Sequence, residues 1–419
     1  MKVIIYPSQI EGKLTAPSSK SIAQRAIAIS LLTKGTSKIK NITWSSDTLA
    51  ALSVAQNLGA TVEITENSLN INGGNSLDSE ILECGESGLC MRMFAPIAAL
   101  YNQQLTLNAS GSLLNRPFDM IEDALIKLGV NCVSNNGKPP FKIRGPIKNG
   151  NIKIDGSISS QLITGLLISL PTISSDSILE VDNLVSKHYV DVTLSVMNSF
   201  GVSAVNKNYK QFVIKGNQTY KPAEIYIEGD WSGSSFLLVA AAIYGKIKVT
   251  NLFMNSFQPD KKIVEVLKLA GANISVKNDT VTCKHGSLNS FNIDATDCPD
   301  LFPPLVALAS NCKGKSIITG INRLIYKESN RLEILIREFS KMGVKINKNN
   351  NSLEIECGNL KSVEINPEND HRIAMAAAIT YMGCNEKIII HQSECVNKSY
   401  PGFWEEIKCM GIKTEVIHD

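Results

Sequence analysis

The amino-acid sequence predicts an α/β fold built from six repeated units of roughly 70 residues, and three observations lead to this prediction. First, an amphipathic helical segment that ends in glycine and runs into an alternating strand occurs six times. Second, these glycines are 68 to 72 residues apart, at Gly59, Gly129, Gly201, Gly271, Gly343 and Gly411. Third, six short strands in step with these segments lead through a polar cluster into a helix of small apolar residues. A fixed period indicates a repeated structural unit.

Each unit is predicted to run strand, buried helix, strand, amphipathic helix, strand, strand. The first helix follows polar residues such as Ser, Asp or Asn, which are preferred N-caps, and it is apolar nearly all round, so it should be buried. The second helix is apolar on one face, and glycine supplies the left-handed residue that ends it. The last unit stops after one closing strand, so the alternating segment at residues 2–7 is expected to supply the missing partner.

Composition narrows the function classes. The chain has 419 residues, of which 43% are hydrophobic and 19% charged, as in ordinary globular proteins. The net charge is only +3, which does not favour a general nucleic-acid or polybasic membrane binder. The longest apolar run, residues 236–244, is too short to span a bilayer, and the N-terminus does not resemble a signal peptide. Ten cysteines without a CxxC pair predict a reduced, cytoplasmic protein with neither disulfides nor zinc.

Basic residues at the helix starts suggest an anionic ligand. Lys20 and Arg25, with Ser21 between them, add positive charge to a helix N-terminus, where the helix dipole already disfavours it. Arg92 follows a glycine-containing turn at residues 85–88, and Arg116 precedes a proline. Taken alone, the segment at residues 85–88 fits an ordinary tight turn as well as a ligand-binding loop. Arg116 by itself fits a surface loop as well as a ligand contact.

Neutral polar residues form a second group of candidates. Ser159, Ser160 and Gln161 precede an almost entirely apolar helix. An N-cap needs only one of them, so three together could instead hold phosphate oxygens or hydroxyls. The segment from Ser186 to Tyr189 fits a ligand site and a surface turn equally well.

Carboxylates at helix starts fall into two classes. Capping alone is sufficient for Asp230, and Asp297 and Asp370 also stand at helix starts, whereas Asp300 and Glu328 are better candidates for proton transfer.

Two basic residues beside Glu328 form an unfavourable pair in the predicted helix. Lys327 and Arg331 are four residues apart and should share a helix face with no acid between them, which a bound anion would relieve.

Eight cationic residues occupy these positions in register with the repeat: Lys20, Arg25, Arg92, Arg116, Lys327, Arg331, Arg372 and Lys398. Their convergence in a nearly neutral chain predicts small, strongly anionic substrates such as phosphates and carboxylates. Neither a Walker-type loop nor a GxGxxG after a strand occurs, which argues against nucleotides, and the five histidines lack metal-ligand spacing.

Ten motifs spread over essentially the whole chain carry a family resemblance. In order they are PSSKSIAQR, GESGLCMR, LLNRP, DGSISSQ, NLVSKHYVD, EGDWSGSSF, CPD, YKESNR, NDHR and NKSYPGFW. On these motifs the chain resembles the 5-enolpyruvylshikimate-3-phosphate synthase family. The resemblance implies an inside-out α/β barrel in each of two domains, with three βαβαββ units per domain, buried helices and outer sheets. It places residues 1–18 and 229–419 in one domain, residues 19–228 in the other, and the active site in the cleft between them.

The same resemblance implies the reaction and its residues. The implied reaction transfers the enolpyruvyl group of phosphoenolpyruvate to the 5-hydroxyl of shikimate 3-phosphate and needs no metal or cofactor. Nothing in the sequence marks an interface, so a monomer is expected. The implied catalytic residues are Lys20, Asp300 and Glu328. The implied shikimate 3-phosphate ligands are Lys20, Ser21, Arg25, Ser159, Ser160, Gln161, Ser186, Tyr189, Asp300 and Lys327. The implied phosphoenolpyruvate ligands are Lys20, Gly88, Arg116, Gln161, Arg331, Arg372 and Lys398.

The chain departs from the family pattern at three points. Glu86 replaces an amide and adds negative charge near the phosphoenolpyruvate loop, and Met93 replaces a proline. Both bear on sensitivity to glyphosate. Arg323, beside Asn322, stands where a substrate-binding Asn is expected.

Two alternative functions stay open at this stage. One is UDP-N-acetylglucosamine enolpyruvyl transferase activity, although that family typically has Lys-Asn where this chain has Lys20-Ser21. The other is a non-catalytic protein that binds shikimate phosphate.

Overall fold

A computed structural model of the chain describes residues 1–65, 68–382 and 384–418. These residues form two compact units. Unit 1 comprises Met1–Pro17 and Glu228–Asp419, and unit 2 comprises Ser18–Ile227.

The described residues contain twelve α-helices: α1 (Lys20–Leu31), α2 (Ser46–Asn57), α3 (Gly88–Ala98), α4 (Asp119–Lys127), α5 (Gln161–Ser169), α6 (Lys187–Ser199), α7 (Trp231–Tyr244), α8 (Ile263–Leu269), α9 (Phe302–Ala309), α10 (Arg331–Lys341), α11 (His371–Thr380) and α12 (Phe403–Cys409). Short 3₁₀ turns include Gly111–Asn115, Pro299–Leu301, Ile321–Tyr326 and Ser393–Lys398.

The strands of the described residues are β1 (Lys2–Ile5), β2 (Ile10–Thr15), β3 (Gly35–Lys40), β4 (Thr61–Thr65), β5 (Ser68–Gly73), β6 (Ile81–Glu83), β7 (Gln104–Asn108), β8 (Asn131–Asn135), β9 (Lys138–Arg144), β10 (Ile152–Asp155), β11 (Ser177–Asp182), β12 (Val205–Lys207), β13 (Gln211–Ile214), β14 (Glu224–Tyr226), β15 (Gly245–Thr250), β16 (Asn273–Lys277), β17 (Thr280–Lys284), β18 (Asn292–Asp294), β19 (Lys315–Thr319), β20 (Lys345–Asn349), β21 (Ser352–Glu356), β22 (Val363–Ile365), β23 (Ile388–Ile390) and β24 (Thr414–Ile417).

These strands form four-stranded mixed sheets, three in each unit. Unit 2 contains the sheets β14-β3-β5-β4, β6-β7-β9-β8 and β10-β11-β13-β12, and in each the first pair is parallel and the others antiparallel. Unit 1 contains β2-β15-β17-β16, β18-β19-β21-β20 and β22-β23-β1-β24, with the same sequence of pairings. The α/β class is therefore confirmed, and each of these sheets is open rather than closed into a barrel.

The N-terminal strand belongs to the last of these sheets. β1 runs antiparallel to β23 on one side and to β24 on the other, with Val3 opposite Ile390 and Val416. The first residues of the chain therefore fill the interior position of a sheet whose other strands come from its last 60 residues.

The helices of small apolar residues are buried, as their composition predicts. Every residue of α3 and of α11 is buried, and so is every residue of α7 except the last. Gly165 of α5 lies against α3, because a Cβ there would come within 2.6 Å of the Met93 carbonyl oxygen. The two helix backbones pack this closely only because residue 165 has no side chain.

The glycine prediction is confirmed for all six amphipathic helices. Their terminal glycines have φ between 77° and 103°, the left-handed region. A search of the described residues finds no helix long and apolar enough to cross a membrane.

Candidate active site

The first cluster of functional side chains, here named the Asp300 cluster, lies in unit 1 and comprises Asp300, Lys327, Glu328, Arg331, Asp370 and Arg372. Asp300 sits in the 3₁₀ turn before α9. Its Oδ1 accepts hydrogen bonds from Lys327 Nζ at 3.1 Å and from Arg331 Nη1 at 3.0 Å, and its Oδ2 lies 3.3 Å from Arg372 Nη2. One carboxylate is therefore contacted by three cations.

These cations determine the ionisation of Asp300. Burial by itself would raise the pKa of this carboxyl, but Arg372, Lys327 and Arg331 together hold its pKa well below the ordinary value. Asp300 is therefore a carboxylate at neutral pH, the form that can accept a proton.

Arg331 is the buried centre of the cluster. It begins α10 and is fully buried, as is Asp370, whose Oδ2 accepts from Arg331 Nε at 2.9 Å. Arg331 Nη2 also donates to Glu328 Oε2. Burial opposes the charge, but Asp370, Glu328 and Asp300 raise the pKa of Arg331 above its ordinary value. This guanidinium stays charged throughout the physiological range.

The predicted helical pairing of Lys327 with Arg331 is wrong. Helix α10 begins only at Arg331, because Asn330 caps it by accepting from the Glu333 amide at 3.4 Å, and Lys327 is extended. Asp300 Oδ1 lies between the two cations, so their repulsion is relieved by a carboxylate of the protein itself.

The ammonium of Lys327 is easier to deprotonate than an ordinary lysine. Burial above all, together with Arg323 and Arg331, lowers the pKa of Lys327 to about 8, while Asp300 partly opposes them. The Lys327 charge therefore changes within an accessible pH range.

Helix α11 positions Arg372. Asp370 caps this helix by accepting from the Arg372 amide at 3.0 Å, and Arg372 Nη1 donates to Ser232 Oγ. Lys398 ends the 3₁₀ turn Ser393–Lys398 and is buried.

The other unit 1 candidates occupy less central positions. Asp230 caps α7 by accepting from the Gly233 amide at 2.9 Å, the capping role considered for it. Asn322 and Arg323 both lie in the turn Ile321–Tyr326, where Arg323 Nη1 lies 3.5 Å from the Thr296 carbonyl oxygen.

In unit 2, Lys20 is paired with an acid that sequence reasoning missed. Lys20 begins α1, and its Nζ donates to Asp47 Oδ2 at 2.8 Å, with side chains 12% and 7% exposed. Asp47 lies in the first turn of α2, after the N-cap Ser45. The N-cap pattern marks the helix start, but nothing local in the sequence indicates that Asp47 reaches Lys20.

Arg25 lies deeper than its predicted role suggests. It is 1% exposed and donates to the Ser21 carbonyl at 2.7 Å, to the hydroxyls of Thr193 and Thr164 at 2.9 and 3.1 Å, and to the Tyr189 carbonyl at 3.3 Å. Burial lowers the pKa of Arg25 to about 10. Arg25 thus joins α1, α5 and α6 and brings the Ser21 and Tyr189 backbones together.

The predicted neutral ligands lie at the starts of α5 and α6. Ser159 Oγ accepts from the Gln161 amide at 3.2 Å, and the neighbouring Ser160 is buried. Ser186 precedes α6 with φ 54°, a left-handed conformation unusual for serine, and it is buried, while Tyr189 is partly exposed in the first turn.

A second cluster in unit 2, named the Gly88 cluster, comprises Gly88, Arg92, Arg116 and Gln161. Gly88 is the first residue of α3. A Cβ added there would lie 2.9 Å from Arg116 Nη1 and 3.2 Å from Arg92 Nη1. Arg92 Nη1 also donates to Gln161 Oε1 at 2.8 Å. Two guanidinium groups thus converge on a helix N-terminus, an arrangement suited to an anion.

The two departures near this cluster have defined positions. Glu86 Oε2 accepts from Ser112 Oγ at 3.0 Å, and a Cβ on Gly111 would come within 2.2 Å of Glu86 Oε1. The Glu86 carboxylate therefore packs against the 3₁₀ turn Gly111–Asn115 that leads to Arg116. Met93 is fully buried in α3. Among the residues described, no group of three or more His, Cys, Asp or Glu side chains is arranged to hold a metal ion.

Solved structures identify the fold. The structure is similar to the EPSP synthase of Acinetobacter baumannii, with a TM-score of 0.85, 24% identity and complete coverage of both chains. It is also similar to an enolpyruvyl transferase of Streptomyces tendae, with a TM-score of 0.81, 12% identity and coverage of 99% and 98%. At these identities the likeness establishes the fold, which is that of the enolpyruvyl transferases.

Sequence comparison is more specific. The chain is 39% identical over 416 residues to the 3-phosphoshikimate 1-carboxyvinyltransferase of Clostridium perfringens strain ATCC 13124, with 98% of each chain covered. It is 38% identical to the same enzyme of Clostridium kluyveri, with 98% and 97% covered. Residues 5–407 match the family described as EPSP synthase (3-phosphoshikimate 1-carboxyvinyltransferase). The chain belongs to this family, which confirms the resemblance drawn from its motifs.

Proposed function

We propose that this protein transfers the enolpyruvyl group of phosphoenolpyruvate to the 5-hydroxyl of shikimate 3-phosphate and releases phosphate. Family membership over almost the whole chain supports the reaction. The observation that carries the proposal is the Asp300 cluster, in which a carboxylate, a second acid and three cations meet around one proton-transfer centre.

The reaction requires one base and one acid. Asp300 takes the proton of the 5-hydroxyl while the 5-oxygen of shikimate 3-phosphate bonds to C2 of phosphoenolpyruvate. Glu328, together with Lys20, supplies a proton to C3. The resulting tetrahedral intermediate then loses a proton from C3 as the bond from C2 to the phosphate oxygen breaks. The products are the enol ether and inorganic phosphate, and neither step needs a metal ion or an organic cofactor.

The low pKa of Asp300 fits this role once the substrates are considered. With its three cations directed at it, Asp300 is fully ionised but weakly basic. Anionic substrates compete for Lys327, Arg331 and Arg372, and they add negative charge nearby, so both effects raise the pKa of Asp300 toward a useful range. Substrate binding would thus activate the base.

The remaining site residues are assigned to the two anions. For phosphoenolpyruvate we propose Lys20, Gly88, Arg116, Gln161, Arg331, Arg372 and Lys398. For shikimate 3-phosphate we propose Lys20, Ser21, Arg25, Ser159, Ser160, Gln161, Ser186, Tyr189, Asp300 and Lys327. The convergence of the Arg92 and Arg116 guanidiniums at Gly88 supports an anion there, and the buried contacts of Arg25 also hold the Ser21 and Tyr189 segments in place.

We also propose that the six sheets are copies of one βαβαββ unit, arranged in each of two domains as an inside-out barrel with helices inside. The shared order of one parallel and two antiparallel pairs supports this repeat. The proposed domains are residues 1–18 with 229–419 and residues 19–228. We further propose a cytoplasmic monomer.

Phosphate release with phosphoenolpyruvate tests the reaction. Shikimate 3-phosphate and UDP-N-acetylglucosamine are compared as acceptors, with the Asp300→Asn variant as control. We expect phosphate release when shikimate 3-phosphate is the acceptor and no release when UDP-N-acetylglucosamine is the acceptor. Release only with UDP-N-acetylglucosamine would assign the sister activity. Calorimetric binding of shikimate 3-phosphate without any release would indicate a non-catalytic protein.

A further inference from the structure

The aromatic ring of Phe118 faces both arginines of the Gly88 cluster. Phe118 immediately precedes α4 and is fully buried. The Cζ of Arg92 lies 4.3 Å from the centroid of this ring, and the Cζ of Arg116 lies 5.9 Å from it. Both distances are within the range of a cation–π interaction.

The ring addresses an electrostatic problem of this cluster. Two guanidinium groups approach the Gly88 backbone at the positively polarised start of α3, so each charge opposes the other and the helix dipole opposes both. The face of an aromatic ring attracts cations through its quadrupole and occupies no N–H donor.

We propose that Phe118 is a positioning residue for anion binding, whose ring holds Arg92 and Arg116 at Gly88 and thereby sets the affinity for phosphoenolpyruvate. This inference rests on the proposed function. It adds Phe118 to the groups that determine affinity, through the two guanidinium groups that its ring contacts. It also gives Arg92 a defined place, since Gln161 Oε1 fixes one edge of its guanidinium while the ring supports its face.

The test varies the electronic character of the ring at nearly constant shape. Phenylalanines with one, two or three ring fluorines replace Phe118 in the full-length protein, because each fluorine weakens the negative potential of the ring face. A cation–π contact is worth roughly 0.5 to 2 kcal/mol, which corresponds to about 2- to 30-fold in affinity. We expect KM for phosphoenolpyruvate to rise stepwise within this range, with kcat changed by less than about twofold.

Phe141 provides a matched control. It is equally buried and packs edge-on against Phe118, with ring centroids 6.4 Å apart at 87°. The same fluorinated series at Phe141 should leave KM unchanged while altering packing similarly, as followed by the melting temperature. A flat series at Phe118, or equal slopes at both positions, would overturn the positioning role.

Calorimetric titration with phosphoenolpyruvate separates this inference from the proposed reaction. A graded loss of binding in a protein without turnover would support the positioning role and reject the reaction. Normal turnover, with phosphoenolpyruvate binding that does not change across the fluorinated series at Phe118, would support the reaction and reject the positioning role.

Discussion

Lys327 gives the proposed site a characteristic alkaline limit. Burial lowers the pKa of Lys327 to about 8, against opposition from Asp300. The ammonium contacts Asp300 Oδ1 and is assigned to shikimate 3-phosphate, so its charge should be needed for productive binding. We therefore expect kcat/KM for shikimate 3-phosphate to be level below pH 8 and to fall above it.

The size of the fall follows from this pKa. At pH 9, one unit above the pKa, roughly one-tenth of the free enzyme keeps the Lys327 proton, so kcat/KM should drop about tenfold. The direction follows because the charged form binds the anion and is lost as pH rises. Nearby charges are Asp300, Glu328, Arg323 and Arg331, and the pKa of Arg331 is raised, so this guanidinium does not titrate here.

The assay is phosphate release from pH 6.5 to 9.5 with both substrates well below their KM values, so that the free enzyme is titrated. Lys327→Arg is the control, because a guanidinium stays charged over this range. Its absolute rate will be lower, but its alkaline limb should vanish. An unchanged profile in wild type up to pH 9.5, or the same limb in Lys327→Arg, would refute the reasoning.

Three further predictions concern other parts of the two clusters. Asp370→Asn removes the charge that faces buried Arg331, but asparagine can still cap α11, so the free energy of unfolding in urea should fall by about 2–4 kcal/mol. The capping control Asp230→Asn should lower it by under about 0.5 kcal/mol. Equal losses would argue against a buried ion pair. In Gly88→Ala, the new Cβ would clash with the end of the flexible Arg116 side chain, so the fold should survive while KM for phosphoenolpyruvate rises on the order of tenfold. An unaltered KM would exclude Gly88 from the site. Asp300→Ala and Glu328→Gln should each lower kcat about 10²- to 10⁴-fold with unchanged circular dichroism, and mild effects at both would mean that other groups transfer the protons.

Local rules predicted much of the fold. Helix ends could be located because only a residue tolerant of positive φ closes them cheaply, and glycine stands at all six. Buried helices could be identified because they lack a polar face, as α3 and α11 do.

The error at Lys327 shows what competing local signals can do. Its four-residue spacing from Arg331 suggested a shared helix face, but Asn330 and Glu333 form the Asn-x-x-Glu pattern of a helix start. The cap determined where α10 begins. The Asn330 side chain accepts from the Glu333 amide, one of the first amides of a helix, which have no partner within the helix itself.

Local sequence patterns could not predict the long-range partners of the site residues. Asp47 lies 27 residues from Lys20 in the chain, and Phe118 lies 26 residues from Arg92. Only the packing of α2 on α1, and of the α4 start on α3, brings them together. The motifs predict which residues carry the chemistry, whereas the structure identifies what holds those residues in place.

The most direct test of the proposed reaction is nuclear magnetic resonance of the product. Phosphoenolpyruvate labelled with ¹³C at C2 and C3 is incubated with shikimate 3-phosphate and the enzyme in D₂O. Addition followed by elimination predicts a labelled enol ether on the 5-oxygen, an equal amount of phosphate, and deuterium in the product methylene. Recovery of both substrates unchanged, or an enol ether without deuterium, would contradict the mechanism.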